Sequence, residues 1–156
     1  YGFILNNEMD DFSSPSGAYI YGLRQSDKNL PEPGKRPLSS MSPTIVTHHG
    51  APVLVLGASG GPRIISSVVQ VLLRVLWADD EPIDALKRPR LHHQWMPDYV
   101  YFEEDFNIKI QESLQSKGHE FKERGHIGVV QVIQIDGGVM KPASDPRKGG
   151  SPAGID

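Results

Sequence analysis

Three groups of residues in this chain have types and spacings that could recognise or activate a polar substrate. Glu8, Asp10 and Asp11 place three carboxylates within four residues. Such a group can hold an ammonium, a metal or a proton. A metal would call for His or further carboxylates at fixed spacing, and none is nearby. The cluster therefore reads either as an ammonium acceptor or as a solvated acidic loop. Ser39 and Ser40 sit in a turn bounded by Pro37 and Pro43. Two hydroxyls on a fixed backbone can cradle a carboxylate, although Ser and Pro also dominate turns that bind nothing. Gly57-Ala58-Ser59-Gly60-Gly61-Pro62 joins an apolar strand to an apolar helix. Adjacent glycines before a helix expose amide N–H groups, and the helix dipole adds partial positive charge. This turn can bind an oxyanion, a carboxylate or a phosphate, or it can simply be tight. It is neither a Walker loop nor a dinucleotide fingerprint, because the Lys-Ser/Thr ending and the Gly-x-Gly-x-x-Gly spacing are absent.

A nucleophile is harder to find. The chain has no Cys. Gly57-Ala58-Ser59-Gly60-Gly61 fits the Gly-x-Ser-x-Gly elbow formally. That keeps Ser59 as a candidate, with Asp79 or Asp98 and His119 or His126 as partners that nothing local supports. His92-His93 and His48-His49 are adjacent pairs, which do not share a helix face. They read as structural residues, the first pair in a loop near Trp95 and the second in a hairpin turn.

The elements that position these groups follow from periodicity. Phe3-Ile4-Leu5 reads as a buried strand end. Residues 13–35 are rich in Ser, Gly, Pro and Asn, a loop of the length that usually carries function or disorder. Thr44–Thr47 and Pro52–Leu56 predict a hairpin turning at His48-His49-Gly50-Ala51. Ile64, Ile65, Val68, Val69, Leu72, Leu73 and Leu76 form one helical apolar stripe, ended by Asp79-Asp80-Glu81-Pro82. A short helix follows over 83–87. Tyr99–Phe102 reads as a strand, Ile108–Lys117 as a helix closed by Gly118, and Ile127–Ile135 as a strand. Asp136-Gly137-Gly138 makes a hairpin turn before Val139-Met140. The tail over 143–156 reads as irregular. Strands, a helix pair, a strand, a helix and further strands define an α+β class.

Composition narrows the function classes. The chain has 156 residues, one domain's length, and a net charge of −3 without blocks of like charge. Nothing here attracts nucleic acid or an anionic membrane. No apolar run approaches the roughly 18–20 residues that cross a bilayer. The absence of Cys excludes a disulfide framework and a thiolate metal site.

The motifs together resemble the gamma-glutamyltransferase family. The resemblance rests on Leu5-Asn6-Asn7-Glu8-Met9-Asp10-Asp11-Phe12-Ser13, Lys35–Ile45 with its Pro-Leu-Ser-Ser-Met core, and Gly57-Ala58-Ser59-Gly60-Gly61. Pro89-Arg90-Leu91-His92-His93-Gln94-Trp95-Met96-Pro97 and Ala143-Ser144-Asp145-Pro146-Arg147 complete it, in the same order as in the family. It spans nearly all of residues 1–156 as part of the family's small subunit. Glu8, where bacterial members commonly carry Gln, and the Lys148–Gly154 tail lean toward an animal-type member.

The resemblance implies an N-terminal-nucleophile hydrolase, an αββα sandwich that is incomplete here because its opening strands are missing. A Thr at the start of the small subunit, absent from this sequence, would attack the gamma-glutamyl carbonyl of glutathione or its conjugates. Water, an amino acid or a peptide would then take the acyl group. Asp11 and Glu8 would hold the α-ammonium group, and Ser39 and Ser40 the α-carboxylate. Gly60 and Gly61 would face the oxyanion, which makes Ser59 a turn residue. The loop over 14–30 would form a lid with Tyr21 as its gating residue. The large subunit of the same precursor would be the protein partner. No metal or other cofactor is implied. The family's usual place is the extracellular face of the plasma membrane, reached through an anchor absent from this sequence, or secretion. Two other readings remain open: an inactive relative kept as a binding or folding partner, and a serine hydrolase using Ser59.

Overall fold

In the computed structural model the hairpin expected after the Pro-rich turn is longer and tighter than its sequence suggests. Strand β1 (Thr44–His48) pairs antiparallel with β2 (Ala51–Ser59), His48 lying opposite Ala51. Only His49 and Gly50 turn, both at positive φ, 50° and 81°. That is the two-residue geometry whose twist matches paired strands. Strand β2 continues through Gly57, Ala58 and Ser59, which pair with Gln131, Val130 and Val129. The glycine turn therefore contracts to Gly60-Gly61-Pro62.

The structure describes residues 5–16 and 20–154, apart from the side chain of Ile20. These residues fall into two units, Tyr1–Ser40 and Met41–Asp156. In the larger unit β6 (Val129–Asp136) and β7 (Val139–Ser144) complete an antiparallel sheet in the order β1-β2-β6-β7. Gly137 and Gly138, at φ 55° and 87°, form the expected hairpin turn. The strands alternate as half-buried sheets do. Leu54, Leu56, Val130 and Val132 are buried, while Gln131 is exposed.

Helices α1 (Arg63–Leu76) and α2 (Pro82–Lys87) close that core with Ile64, Val68, Val71, Val75, Ala85 and Leu86. The buried stripe of α1 is not the one periodicity picks out. Ser67 and Val71 face inward, while Ile65, Val69 and Leu76 are 55%, 48% and 41% exposed. The helix is apolar around most of its circumference, so pattern alone cannot choose the face. Ser67, whose hydroxyl lies 2.8 Å from the Ile127 carbonyl, marks the side that turns inward.

A second sheet, β3-β4-β5, was only partly expected. Strand β4 (Val100–Phe102) pairs antiparallel with β3 (Leu91–His92) and parallel with β5 (Phe121–Glu123), reached through α3 (Ile108–Gln115). A parallel pair needs such a crossover. Strands β3 and β5 are too short to show a period. The tail reading is corrected for 143–147: Ala143 and Ser144 end β7, and Asp145 is fully buried. Leu5 is 77% exposed and outside any strand, while Phe3 and Ile4 lie outside the described residues. Among the described residues no helix is long and apolar enough to cross a membrane.

Candidate functional site

The glycine turn is shaped by close packing. Gly60 and Gly61 hold φ of 140° and 60° between β2 and α1. Their carbonyls accept the Arg63 and Ile64 amides at 3.3 and 3.0 Å. Among the described residues, neither the Gly60 nor the Gly61 amide donates a hydrogen bond. A Cβ on Gly60 would stand 2.9 Å from the Gly128 Cα, and one on Gly128 would stand 2.2 Å from the Ser67 Oγ. Glycine is thus required at both places by contact as well as by backbone conformation. Ser67 lies 2.8 Å from the Arg63 carbonyl as well, and Arg63 donates to the His126 carbonyl at 3.2 Å. The first turn of α1 is therefore tied to residues 126–128. A cleft of about 350 Å3, lined by Gly57, Ala58, Ser59, Val129, Gln131 and Lys148, borders the turn.

Behind residues 127–130 lies a buried ion cluster that sequence reading did not find. Arg90 and Asp145 are both fully buried and pair at 2.7 Å. Asp145 also accepts the Val130 amide at 2.9 Å and both the amide and the guanidinium of Arg147 at 3.1 Å. Glu103, 4% exposed, accepts the amides of Arg90 and Ile127 at 2.9 and 2.7 Å and pairs with Arg147. Arg90 donates to the Ile127 and Gly128 carbonyls at 3.3 and 3.2 Å. Burial works to raise the Asp145 carboxyl, but the Val130 amide and the Arg90 guanidinium outweigh it and hold it below the usual range. Burial pulls the Arg90 guanidinium down, partly offset by Asp145. The cluster fixes the strand entry against which Gly60 packs.

The smaller unit carries the acidic and serine groups. Residues Glu8–Asp11 form one 3-10 turn, with the Phe12 amide bonded to the Met9 carbonyl at 3.3 Å. Glu8 and Asp10 are exposed and Asp11 is half-buried; Ser39 is exposed and Ser40 half-buried. Asn29, at the end of a second 3-10 turn (Asp27–Asn29), joins the two groups. Its side chain donates to the Asp11 carbonyl at 2.8 Å and accepts the Leu38 amide at 3.1 Å. The structure thus places the acidic turn beside the serine turn. The loop between them is closed at its base: Ser14 N–H donates to Gln25 at 2.8 Å and Ser26 N–H to Ser13 at 3.1 Å. Tyr21, at φ 65° in the Ile20–Gly22 turn, is 42% exposed. Gly60 and Gly61 belong to the other unit.

Ser59 has no histidine within hydrogen-bonding reach among the described residues. The Ser–His pair that does form is Ser66 with His92 Nδ1, at 2.7 Å. His92 Nε2 lies 2.9 Å from Gln94 Oε1, an acceptor, so Nε2 carries the proton and Nδ1 accepts from Ser66. His92 is buried in β3 rather than set in a loop, and burial lowers its pKa. His93 pairs with the exposed Asp98. No group of three metal-binding side chains occurs among the described residues.

Residues 1–155 match the family model described as gamma-glutamyltranspeptidase. The chain is 44% identical to Scoloptoxin SSD20 of Scolopendra dehaani, covering 99% of this chain and 80% of that protein. It is 43% identical to the glutathione hydrolase proenzyme of Pseudomonas aeruginosa, covering 94% of this chain but 27% of the proenzyme's length. An animal and a bacterial relative thus stand at nearly equal identity, and the match does not divide along that line. The solved gamma-glutamyltranspeptidase of Pseudomonas nitroreducens superimposes with a TM-score of 0.84 at 42% identity, over 99% of this chain and 83% of that one. The α+β arrangement is that of these N-terminal-nucleophile hydrolases.

Proposed function

The chain belongs to the gamma-glutamyltranspeptidase family, and from that premise we propose that it is the substrate-binding part of an enzyme acting on glutathione and related gamma-glutamyl compounds. The observation that carries this reading is the juxtaposition of the acidic turn and the serine turn through Asn29. A glutamyl donor bears an ammonium and a carboxylate on one carbon. Asp11 and Glu8 offer acceptors for the first, and Ser39 and Ser40 offer donors for the second. The Gly60 and Gly61 amides receive the oxyanion that forms as a nucleophile adds to the gamma-carbonyl.

The nucleophile is a Thr hydroxyl supplied by sequence outside this chain. Its oxygen bonds to the carbon of the gamma-carbonyl, the C–N bond to the leaving amine breaks, the hydroxyl proton passes through a base to that amine, and a glutamyl ester remains. Water or an acceptor amine then cleaves that ester. Residues 13–35 act as a lid, with Tyr21 as its gating residue. The large subunit of the same precursor is the protein partner, and the complex works outside the cell, at the plasma membrane or secreted.

Full-length protein carrying this chain tests the reading with three anilides: gamma-glutamyl, glutaryl (no amine) and 4-aminobutyryl (no α-carboxylate). Hydrogen bonds to charged groups contribute about 1.5–3 kcal/mol. Asp11→Ala is expected to lower kcat/KM for the gamma-glutamyl anilide roughly 10- to 150-fold, a factor of ten being about 1.4 kcal/mol. Turnover of the glutaryl anilide should hardly change. An Asp11→Ala enzyme with the full wild-type preference would refute the assignment.

A second reading, an inactive binding partner, is favoured by one observation. The chain spans most of Scoloptoxin SSD20, a relative far shorter than the proenzymes. Absence of any gamma-glutamyl anilide turnover by the full-length protein, with donor binding intact, would select it.

A further inference from the structure

We propose that Asn29 is a positioning residue that sets the spacing between the two arms of the donor site, one for the α-ammonium and one for the α-carboxylate. The inference rests on the reading above. Asn29 is 9% exposed, so its amide works without competition from bulk water. A primary amide has a donor and an acceptor on one planar group, and Asn29 uses both. The donor meets the Asp11 carbonyl at 2.8 Å, and the acceptor meets the Leu38 amide at 3.1 Å. Its own backbone carbonyl accepts the Ser13 amide at 2.9 Å.

Each bond lands on backbone next to a residue assigned to substrate. The first holds Asp11 itself. The second holds Leu38, the residue before Ser39. No carboxylate, hydroxyl or aliphatic side chain could make both bonds at this reach, because none combines a fixed donor with a fixed acceptor. The third bond joins this clasp to the base of the loop, where Ser13 and Ser14 meet Ser26 and Gln25. Asn29 is therefore the point at which loop position and the spacing of the two arms are coupled. It touches no substrate in this account and acts through Asp11, Ser39 and Ser40.

The two arms can be separated by substitution. Asn29→Asp keeps an oxygen for the Leu38 amide but turns an anionic oxygen toward the Asp11 carbonyl. The acidic turn is released while the serine turn stays held. The readout is kcat/KM for the three anilides in the full-length protein. In Asn29→Asp the preference for gamma-glutamyl over glutaryl anilide is expected to fall about tenfold, the scale of one lost buried hydrogen bond, while the preference over 4-aminobutyryl anilide stays. Asn29→Leu should lose both preferences. Asn29→Gln, which keeps both atoms on a longer arm, is the variant to use if these two do not fold; it should lower both preferences together.

Equal loss on all three substrates would mean a purely structural role and overturn the proposal, as would unchanged preferences. The parent reading is judged separately by Asp11→Ala. If that variant loses the amine preference and Asn29→Asp does not, only the role of Asn29 fails. If neither loses it, the donor site itself is wrongly placed.

Discussion

Replacing Asp145 by Ala should loosen the whole face of the sheet behind the glycine turn. The carboxylate accepts four hydrogen bonds, from the Arg90 guanidinium, the Val130 amide, and the amide and guanidinium of Arg147. Removing it strands Arg90 at 0% exposure with carbonyls as its remaining side-chain acceptors. Breaking a buried ion pair from one side costs about 3–5 kcal/mol. The orphaned Val130 amide overlaps with that cost and is not added to it. At about 1.4 kcal/mol per factor of ten, amides in the β2–β6 ladder that do not touch Asp145 should exchange roughly 100- to several-thousand-fold faster. Val55 and Ile133, paired across β2 and β6, are the positions to follow by hydrogen exchange in the full-length protein, where exchange reports local opening. Removing both charges, as Arg90→Met with Asp145→Leu, should recover most of the loss, because no uncompensated charge remains. Acceleration below tenfold in Asp145→Ala would show that the cluster is not holding this strand. Failure of the double variant to recover would place the cost in packing instead of charge.

Three further outcomes are expected. Gly61→Val, which cannot hold the φ of 60° without strain and so displaces the amide from the oxyanion, should lower kcat for a gamma-glutamyl anilide by up to about 10²–10³ with KM little changed, since an oxyanion donor acts on charge that develops in the transition state; a KM effect with kcat intact would place the turn in ground-state binding. Stability should fall as pH drops through about 6.5, the ordinary histidine value. His92 is held below that value by burial, so below it the unfolded chain takes up a proton that the folded chain refuses. Unfolding midpoints compared at pH 7.5 and 5.5 should show the loss, and His92→Gln should abolish it; an unchanged slope would mean that His92 is not the group. Finally, this chain by itself should not turn over a gamma-glutamyl anilide, and turnover that disappears with Ser59→Ala would instead promote the serine-hydrolase reading.

What could be read from the sequence was local. The two hairpins, their Gly-containing turns, the 83–87 helix and the helix that opens at Ile108 each depend on residues a few positions apart, and each appears close to where its pattern predicts. The glycine turn was legible as chemistry, yet its extent was not. Gly57 to Ser59 look like turn residues, but they are held in β2 by pairing with residues more than 65 positions further on. The buried edge of α1 was not fixed by pattern because its single apolar arc is wider than the face that packs, and the buried Ser67 marks the side that turns inward. Strands β3 and β5, two and three residues long, have no period to detect.

The positioning role of residues behind the candidate site was hidden for a different reason. Arg90, Asp145 and Arg147 stand in motifs that carry the family resemblance, yet their residue types, like that of Glu103, are ordinary at a surface and do not announce a buried cluster. They become a buried cluster only because the fold brings together residues as far apart as Arg90 and Asp145, 55 positions in sequence. Asn29 in a Ser- and Pro-rich loop likewise looks like turn chemistry; its role exists only once Asp11 and Leu38 are on either side of its amide. Residues that would touch the substrate can be read from type and spacing, since the chemistry demands acceptors, donors and bare amides. Residues that hold them in place answer to geometry alone. Substitutions at Asn29, Ser67, Gly128 and Asp145 should therefore be as damaging as those at the glutamyl-binding residues, while a motif search on this sequence would pass over the first three.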